Sequence, residues 1–405
     1  MAATRKPATE QKTIRQLRGV NRRSLLKFAG LAGAGLIASP ALIRSAHAAT
    51  VVKIGSIQSL TGPGAPPGVS ARNGSVFAVQ EIAKAGGFKD SAGKDYTVEL
   101  ISNDMVSDPR QAILMFRQYA ADPAVVASIG PTTSLGFVPL VPVAQQLSLP
   151  IISNGSGAPI REWNPWAYRI NPVVKTATPI MLKTMIAAEK IKRLAVLYES
   201  THDLQKADAE ICREQAGPLG YSLVAYEAFR ANDQDYSAQI ATIKQSKPDA
   251  LFVGAQQGQV GAVVAQVRSA GLDVPVVCGF GAMTYKSVWE SSNGGIKGGY
   301  TWISVDVDSA EGKLKDWLDN YNKAFPVAAQ SESIFGYDSV YAVVECVKRT
   351  NSTDRAKIKD VLASFKFTSP LGTNVDFQNP PEGDNRKPTV VIVRATGPGK
   401  YEVVK

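Results

Sequence analysis

Along this chain, short apolar runs alternate with longer segments whose apolar residues recur three and four positions apart, and polar loops separate them. The densest such stretch is residues 128–157, SIGPTTSLGFVPLVPVAQQLSLPIISNGSG. The run Val125 to Ile129 reads as a strand, ends in Gly130 and Pro131, and then presents three hydroxyls, Thr132, Thr133 and Ser134. A helix-like segment rich in Val, Ala and Gln follows, its boundary blurred by Pro139 and Pro142, each of which removes a backbone donor. Pro150 to Ile152 is a second short strand, ending in another small polar loop, Ser153, Asn154, Gly155, Ser156 and Gly157. In an open parallel sheet, this order of strand, loop, helix, strand, loop puts both loops at one carboxyl edge. Hydroxyls and N–H groups at a helix start suit an anion, although the same residues also serve as plain helix caps.

Before this stretch, Val51 to Ile57 reads as a strand emptying into a Gly/Pro-rich loop, residues 59–74. Ser75 to Ala85 has helical spacing, Val98 to Ser102 is a strand, and Asp108 with Pro109 caps a helix from Arg110 to Ala121. From Arg193 the pattern restarts with strands Leu194 to Tyr198, Leu223 to Phe229, Ala250 to Val253 and Val274 to Val277. Helical segments, such as Tyr236 to Gln245 and Gln259 to Ala270, lie between them. Two alternating blocks predict two α/β domains, linked through Tyr168-Arg169-Ile170-Asn171-Pro172. Gly299 to Val307 then reads as strand, Glu311 to Phe325 and Gly336 to Arg349 as helices, and Thr389 to Arg394 as a closing strand after a Pro/Gly-rich passage.

Charge changes the picture only once it is located. The net charge is +10, but residues 1–48 hold nine Lys or Arg against the single acid Glu10, leaving 36 basic and 34 acidic residues for the rest. A nearly neutral body argues against a phosphate-binding groove and against a nucleic-acid partner. Residues 1–48 read as an export signal: a basic region ending Asn21-Arg22-Arg23-Ser24-Leu25-Leu26-Lys27, an apolar run from Phe28 to Ala38, and Ala46-His47-Ala48 before a cleavage site. The Arg pair resembles a twin-arginine signal. The apolar run is about half the length needed to span a bilayer, so an exported, periplasmic protein is expected.

Cys212, Cys278 and Cys346 are widely spaced, form no C-x-x-C pattern, and read as buried small hydrophobes. After cleavage His202 is the single histidine, read as a solvated loop residue. No metal cluster, phosphate loop or nucleophile elbow is present, so the sequence argues for no enzyme and no cofactor. Asp233 and Asp235 suit a solvated loop, whereas Glu199, Asp203 and Asp306, near strand ends, are candidates for touching a ligand.

The mature chain resembles the periplasmic solute-binding proteins of ABC importers, in the branched-chain amino acid and amide group. The resemblance runs through VVKIGSIQSLTGP, NGSVFAVQEI, DMVSDPRQA, VPVAQQLSLPIIS, YRINP, DYSAQIATIKQSKPDALFVG and VRSAGLDVPVVCGFG, in that order. It implies a type I periplasmic binding fold: two Rossmann-like α/β lobes joined by a three-strand hinge, closing on ligand like a flytrap. Crossovers are expected near Ile170, Ser304 and Pro370, giving lobes of residues 49–170 with 304–370 and 171–303 with 371–405.

The resemblance also implies that Thr132, Thr133 and Ser134, with Asn154, Gly155, Ser156 and Gly157, hold a ligand carboxylate. Asp203, Gln256 and Gly281 complete the expected site. Amino-acid binders of this group carry a Glu for the ligand ammonium where Gly281 stands, Gln256 and Gln257 replace common aromatics, and residues 202–205 are altered. Glu199, Asp203 or Asp306 is expected to replace that Glu unless the ligand has no ammonium. The implied role is that of a monomeric receptor delivering a small carboxylate-bearing solute to an inner-membrane permease. A branched-chain-like amino acid is favoured, an organic or aromatic acid or an amide comes second, and an exported sensor or hydrolase comes last.

Overall fold

The computed structural model describes residues 49–378 and 383–404; the expected export signal lies outside them. The first sheet is built from β1 (Thr50–Gln58), β2 (Phe88–Lys89), β3 (Asp95–Asp104), β4 (Val125–Ile129), β5 (Ile151–Ser153) and β6 (Ala167–Arg169). Helices α1 (Ala65–Lys84), α2 (Pro109–Ala121) and α3 (Ser134–Gln146) connect them. Strand order is β2-β3-β1-β4-β5-β6, parallel except for the β2–β3 pair. Because β1 lies between β3 and β4, the chain leaves it in opposite directions, and the carboxyl edge there is the place where such sheets bind ligands.

The second sheet repeats the plan. It is reached through α4 (Val174–Glu189) and contains β7 (Arg193–Glu199), β8 (Ser222–Phe229), β9 (Ala250–Gly254), β10 (Val276–Cys278) and β11 (Tyr300–Ile303). Between these strands lie α5 (Asp203–Glu214), α6 (Ala216–Leu219), α7 (Ser237–Gln245), α8 (Gln257–Ser269) and α9 (Lys286–Ser291). The chain then returns to the first lobe as α10 (Gly312–Ala324), α11 (Ser331–Thr350), α12 (Arg355–Leu362) and the hairpin β12 (Lys366–Thr368) and β13 (Asn374–Asp376). It ends on β14 (Val391–Gly397) and β15 (Lys400–Val403), added antiparallel to the edge of the second sheet beside β11.

Local chemistry explains where the sequence reading shifts. The Gly/Pro-rich loop after β1 is mostly helix, because Pro66 and Pro67 occupy the first turn of α1, where no N–H is required. Asp108 caps α2 as expected, accepting from the Arg110 amide at 2.8 Å. Pro139 and Pro142 both lie inside α3, held there by the buried Phe137, Leu140, Val141 and Ala144. Between residues 68 and 75 helix α1 buries only small residues and Asn73, which lets α11 approach closely. A Cβ on Gly74 would sit 1.8 Å from the Ser333 carbonyl oxygen, and one on Gly336 would sit 2.0 Å from that of Ala71. This contact anchors the start of α11 in the first lobe.

The third crossover is later than expected. Asn385 still belongs with the first lobe, its amide donating to the Arg169 carbonyl at 3.1 Å and its side chain to that of Ile170 at 3.0 Å. Asp384 pairs with the buried Arg169. The chain joins the second sheet only at Val391, so residues 371–378 and 383–385 stay with the first lobe. The hairpin over Ser369–Thr373 turns back, and Thr373 donates to Asp338 of α11, which is why Pro370 is no crossing point. At the hinge itself the Ser304 hydroxyl donates to the Thr389 carbonyl at 2.8 Å, tying the second crossover to the third.

Candidate functional site

The carboxyl edges of the two sheets face one another across a cleft. From the first lobe it is lined by Pro67, Thr132, Thr133, Gly155 and Glu332, and from the second by residues of α5 and the loops after β9 and β10. The cleft is narrow and partly enclosed between the lobes. A small occupant is therefore indicated. The lobes touch at its rim: the Gly258 amide donates to the Pro63 carbonyl at 3.0 Å. A Cβ on Gly258 would lie 2.8 Å from that oxygen, so this approach requires glycine.

The two first-lobe loops are knitted together. Gly130, with φ of 77°, ends β4 so closely against β1 that a Cβ would meet the Ile57 carbonyl oxygen at 2.3 Å. Gln58 bridges the loops, accepting from the Thr132 amide at 3.1 Å and donating to Asn154 Oδ1 at 3.2 Å. Ser134 Oγ accepts from the Ser156 hydroxyl at 3.0 Å and from the amides of Gly157 and Ala158 at 3.2 and 3.1 Å. Thr133 occupies the N-cap position of α3, but its hydroxyl makes no capping bond and is buried without a partner. Thr132, Thr133 and Gly155 thus reach the cleft, while Ser134, Asn154, Ser156 and Gly157 stand behind them as scaffold.

The second lobe presents different chemistry. Gln256 lines the cleft as expected, with a buried side-chain oxygen that has no partner; Gln205 does the same. His202 is no surface residue. It is 2% exposed, N-caps α5 by accepting from the Leu204 amide on Nδ1, and is held by burial at a pKa of about 4, so its imidazole is neutral. Asp203 points away, pairing with Lys206 and lining a separate groove beside Arg161. Glu199 is buried, accepting from the Thr201 amide, and Asp306 accepts from the Tyr401 hydroxyl at 3.2 Å; neither lines the cleft.

Two carboxyls that sequence reasoning passed over do line it. Gly281, with φ of 64°, carries no side chain, but a Cβ there would lie 3.4 Å from Glu332 Oε1. The acid missing from position 281 is thus faced by one from the first turn of α11. Glu332 is 1% exposed, its Oε1 has no partner, and burial pushes its pKa up to about 7 against the pull of its own amide and the Tyr285 hydroxyl. Asp208 of α5 is 2% exposed and likewise pushed up to about 7 by burial, with a hydrogen bond from Thr178 opposing the shift.

A sequence signal existed for Asp208. With Gln205 it shares the stripe of buried positions 205, 208, 209 and 212 on an otherwise polar helix. Glu332 precedes the helix expected from Gly336; that helix in fact begins at Ser331 and brings Glu332 into its first turn. No Lys or Arg among the described residues lines the cleft. Among the described residues no cluster of His, Cys, Asp or Glu could hold a metal, and no helix is long and apolar enough to cross a membrane.

The periplasmic binding protein family matches residues 51–394, and the chain belongs to it. The family implies a periplasmic location and a small-molecule ligand. Its relatives are transport receptors. The Leu/Ile/Val-binding protein homolog 1 of Brucella abortus is 25% identical over 93% of this chain and 98% of its own. The branched-chain amino acid substrate-binding protein LivJ of Streptococcus pneumoniae, solved with isoleucine, superposes with a TM-score of 0.77 at 24% identity, over 88% of this chain and 99% of its own. A solute-binding protein of Rhodopseudomonas palustris, solved with 3,4-dihydroxybenzoic acid, gives a TM-score of 0.72 at 22% identity, over 85% and 93% of the two chains.

Proposed function

We propose that this protein is the receptor of an ABC importer that closes on a small α-amino acid and presents it to an inner-membrane permease. The carrying observation is that one small cleft brings a hydroxyl-bearing loop face together with a buried carboxyl, the two partners a zwitterion would use. The loop face with Thr132, Thr133 and Gly155 offers hydroxyl and helix-start donors to a carboxylate. The buried Glu332 carboxyl, whose Oε1 has no hydrogen-bond partner, supplies the ammonium partner that Gly281 cannot. The absence of a lining cation fits a ligand that brings its own positive charge. The Leu/Ile/Val-binding relatives support an amino acid as the class. Binding as a monomer, without reaction or cofactor, completes the reading.

An aromatic or other organic acid is the second reading, resting on the dihydroxybenzoate bound by the Rhodopseudomonas palustris neighbour. It would place an anion beside two carboxyls with no compensating cation. The two readings have opposite pH signatures. An ammonium ligand favours ionised Glu332, so affinity rises between pH 6 and 8, and binding near pH 7 expels a proton. An acid without an ammonium binds more weakly as the same carboxyls ionise. Titration calorimetry of amino acids and of benzoate across that range, in buffers of different ionisation enthalpy, decides between them. Benzoate binding with affinity falling as pH rises overturns the amino-acid reading.

A further inference from the structure

The floor of the cleft carries a group that an aliphatic ligand would not need. The amino-acid reading places the ligand's charged end between the Thr133 loop and Glu332. The opposite end then faces the second-lobe floor, formed by Gly254, Gly279, Gln205 and Asp208. Gly254 ends β9 and Gly279 follows β10; at Gly279 a side chain would stand against Asp208. A Cβ on Gly279 would sit 2.8 Å from Asp208 Oδ2, so glycine there leaves that oxygen uncovered toward the cleft.

Asp208 itself is oddly provided for. Its Oδ1 receives the Thr178 hydroxyl, and its remaining neighbours of note are the buried thiols of Cys212 and Cys278. Among the described residues no Lys, Arg or His forms a hydrogen bond or ion pair with it. A carboxyl 2% exposed, with one neutral donor, is costly to keep unless a further donor arrives. On the same helix face Gln205 keeps a buried side-chain oxygen without a hydrogen-bond partner.

We infer that Asp208 is a specificity residue that reads a hydrogen-bond donor at the tip of the ligand side chain, so that this receptor selects polar-tipped amino acids over aliphatic ones of the same shape. The inference rests on the amino-acid reading of the cleft. A site built to pair a donor rejects the isostere that lacks it, because its own acceptor is then left dry and unpaired.

Two isosteric pairs test this: asparagine against leucine, and threonine against valine, each titrated calorimetrically into the full chain and into Asp208→Asn and Asp208→Leu. The native protein should bind the donor-bearing member of each pair at least about tenfold more tightly. Asp208→Asn should shrink that ratio, and Asp208→Leu should reverse it in favour of leucine and valine. Should Asp208→Leu fail to melt cooperatively, the near-isosteric Asp208→Asn carries the comparison alone. Equal or tighter binding of leucine by the native protein, or a ratio untouched by Asp208→Asn, overturns the inference while leaving the amino-acid reading intact. Failure of every amino acid to bind overturns both.

Discussion

The loop face of the cleft and its carboxyl-bearing face are built on opposite principles. In the loops most polar atoms, Thr133 Oγ1 and Asn154 Nδ2 apart, are already used: Ser134 serves three donors, Gln58 spans both loops, and Ser153 donates to the Pro131 carbonyl at 2.7 Å. By contrast, Glu332 of the first lobe and Gln205 and Gln256 of the second each keep a buried oxygen without a hydrogen-bond partner. The first face is preorganised and asks little of a ligand. The second is incomplete until a ligand brings donors to it, so it is where selectivity should reside.

The largest effect that would sharpen this contrast is Glu332→Gln. Removing the buried charge opposite a ligand ammonium should weaken amino-acid binding by about 2–5 kcal/mol, with the melting temperature of the ligand-free protein unchanged or raised, since a costly buried carboxyl is gone. Calorimetry and thermal melts read both, and unaltered affinity would remove Glu332 from the site. Gly258→Val comes next. It clashes only in the closed arrangement, so affinity should fall roughly 10- to 100-fold as the competent population shrinks. Small-angle scattering should then lose the ligand-induced decrease in radius of gyration expected of the native protein.

Thr133 and Ser134 share one loop yet should respond in opposite ways. Thr133→Val removes the one free hydroxyl, weakening binding by about 1–3 kcal/mol while leaving the fold alone. Ser134→Ala leaves three donors unpaired, so it should lower the melting temperature first and affected binding should follow from that. Equal behaviour of the two would break the division between contact and scaffold.

The smallest expected effect is on the ligand-free protein's stability against pH. Asp208 and Glu332, pushed up to about 7 by burial, hold their protons longer in the folded state. Their contribution is complete below their ordinary values of 3.8 and 4.5 and is lost as pH rises toward 7. His202, lowered from 6.5 to about 4, acts in the opposite sense, its contribution present above 6.5 and lost as pH falls toward 4. Substituting Glu332 by Gln should flatten the decline toward pH 7 in a series of denaturant melts, and an unchanged slope would contradict its buried, protonated state.

The same contrast governs what could be read from sequence. The loops at Gly130 and Ser153 announce themselves locally, because strand, glycine turn and hydroxyl cap are all written in adjacent residues. Which of those hydroxyls reaches the cleft is not local: Ser134 and Thr133 look alike until Ser156 folds against one of them. Glu332 is placed by the tight seating of Gly336 and Gly74 between two helices more than 250 positions apart, and nothing near it in sequence signals the cleft. The third crossover was misplaced for a related reason. Pro370 marks a turn, but Asn385 bonded to Arg169 and Ile170 decides which lobe the segment joins.

The meeting of Gly258 with Pro63 gives the molecule a built-in gauge. The bond is made by main-chain atoms alone, amide to carbonyl, with no side chain that could be mistaken for part of the recognition chemistry. Its amide proton is sheltered while the jaws are shut and open to deuterium when they part. The exchange rate at this single position therefore counts the fraction of time spent shut, with no dye and no substitution. Because it depends only on the jaws meeting, it reads the same quantity whichever solute fills the space between them.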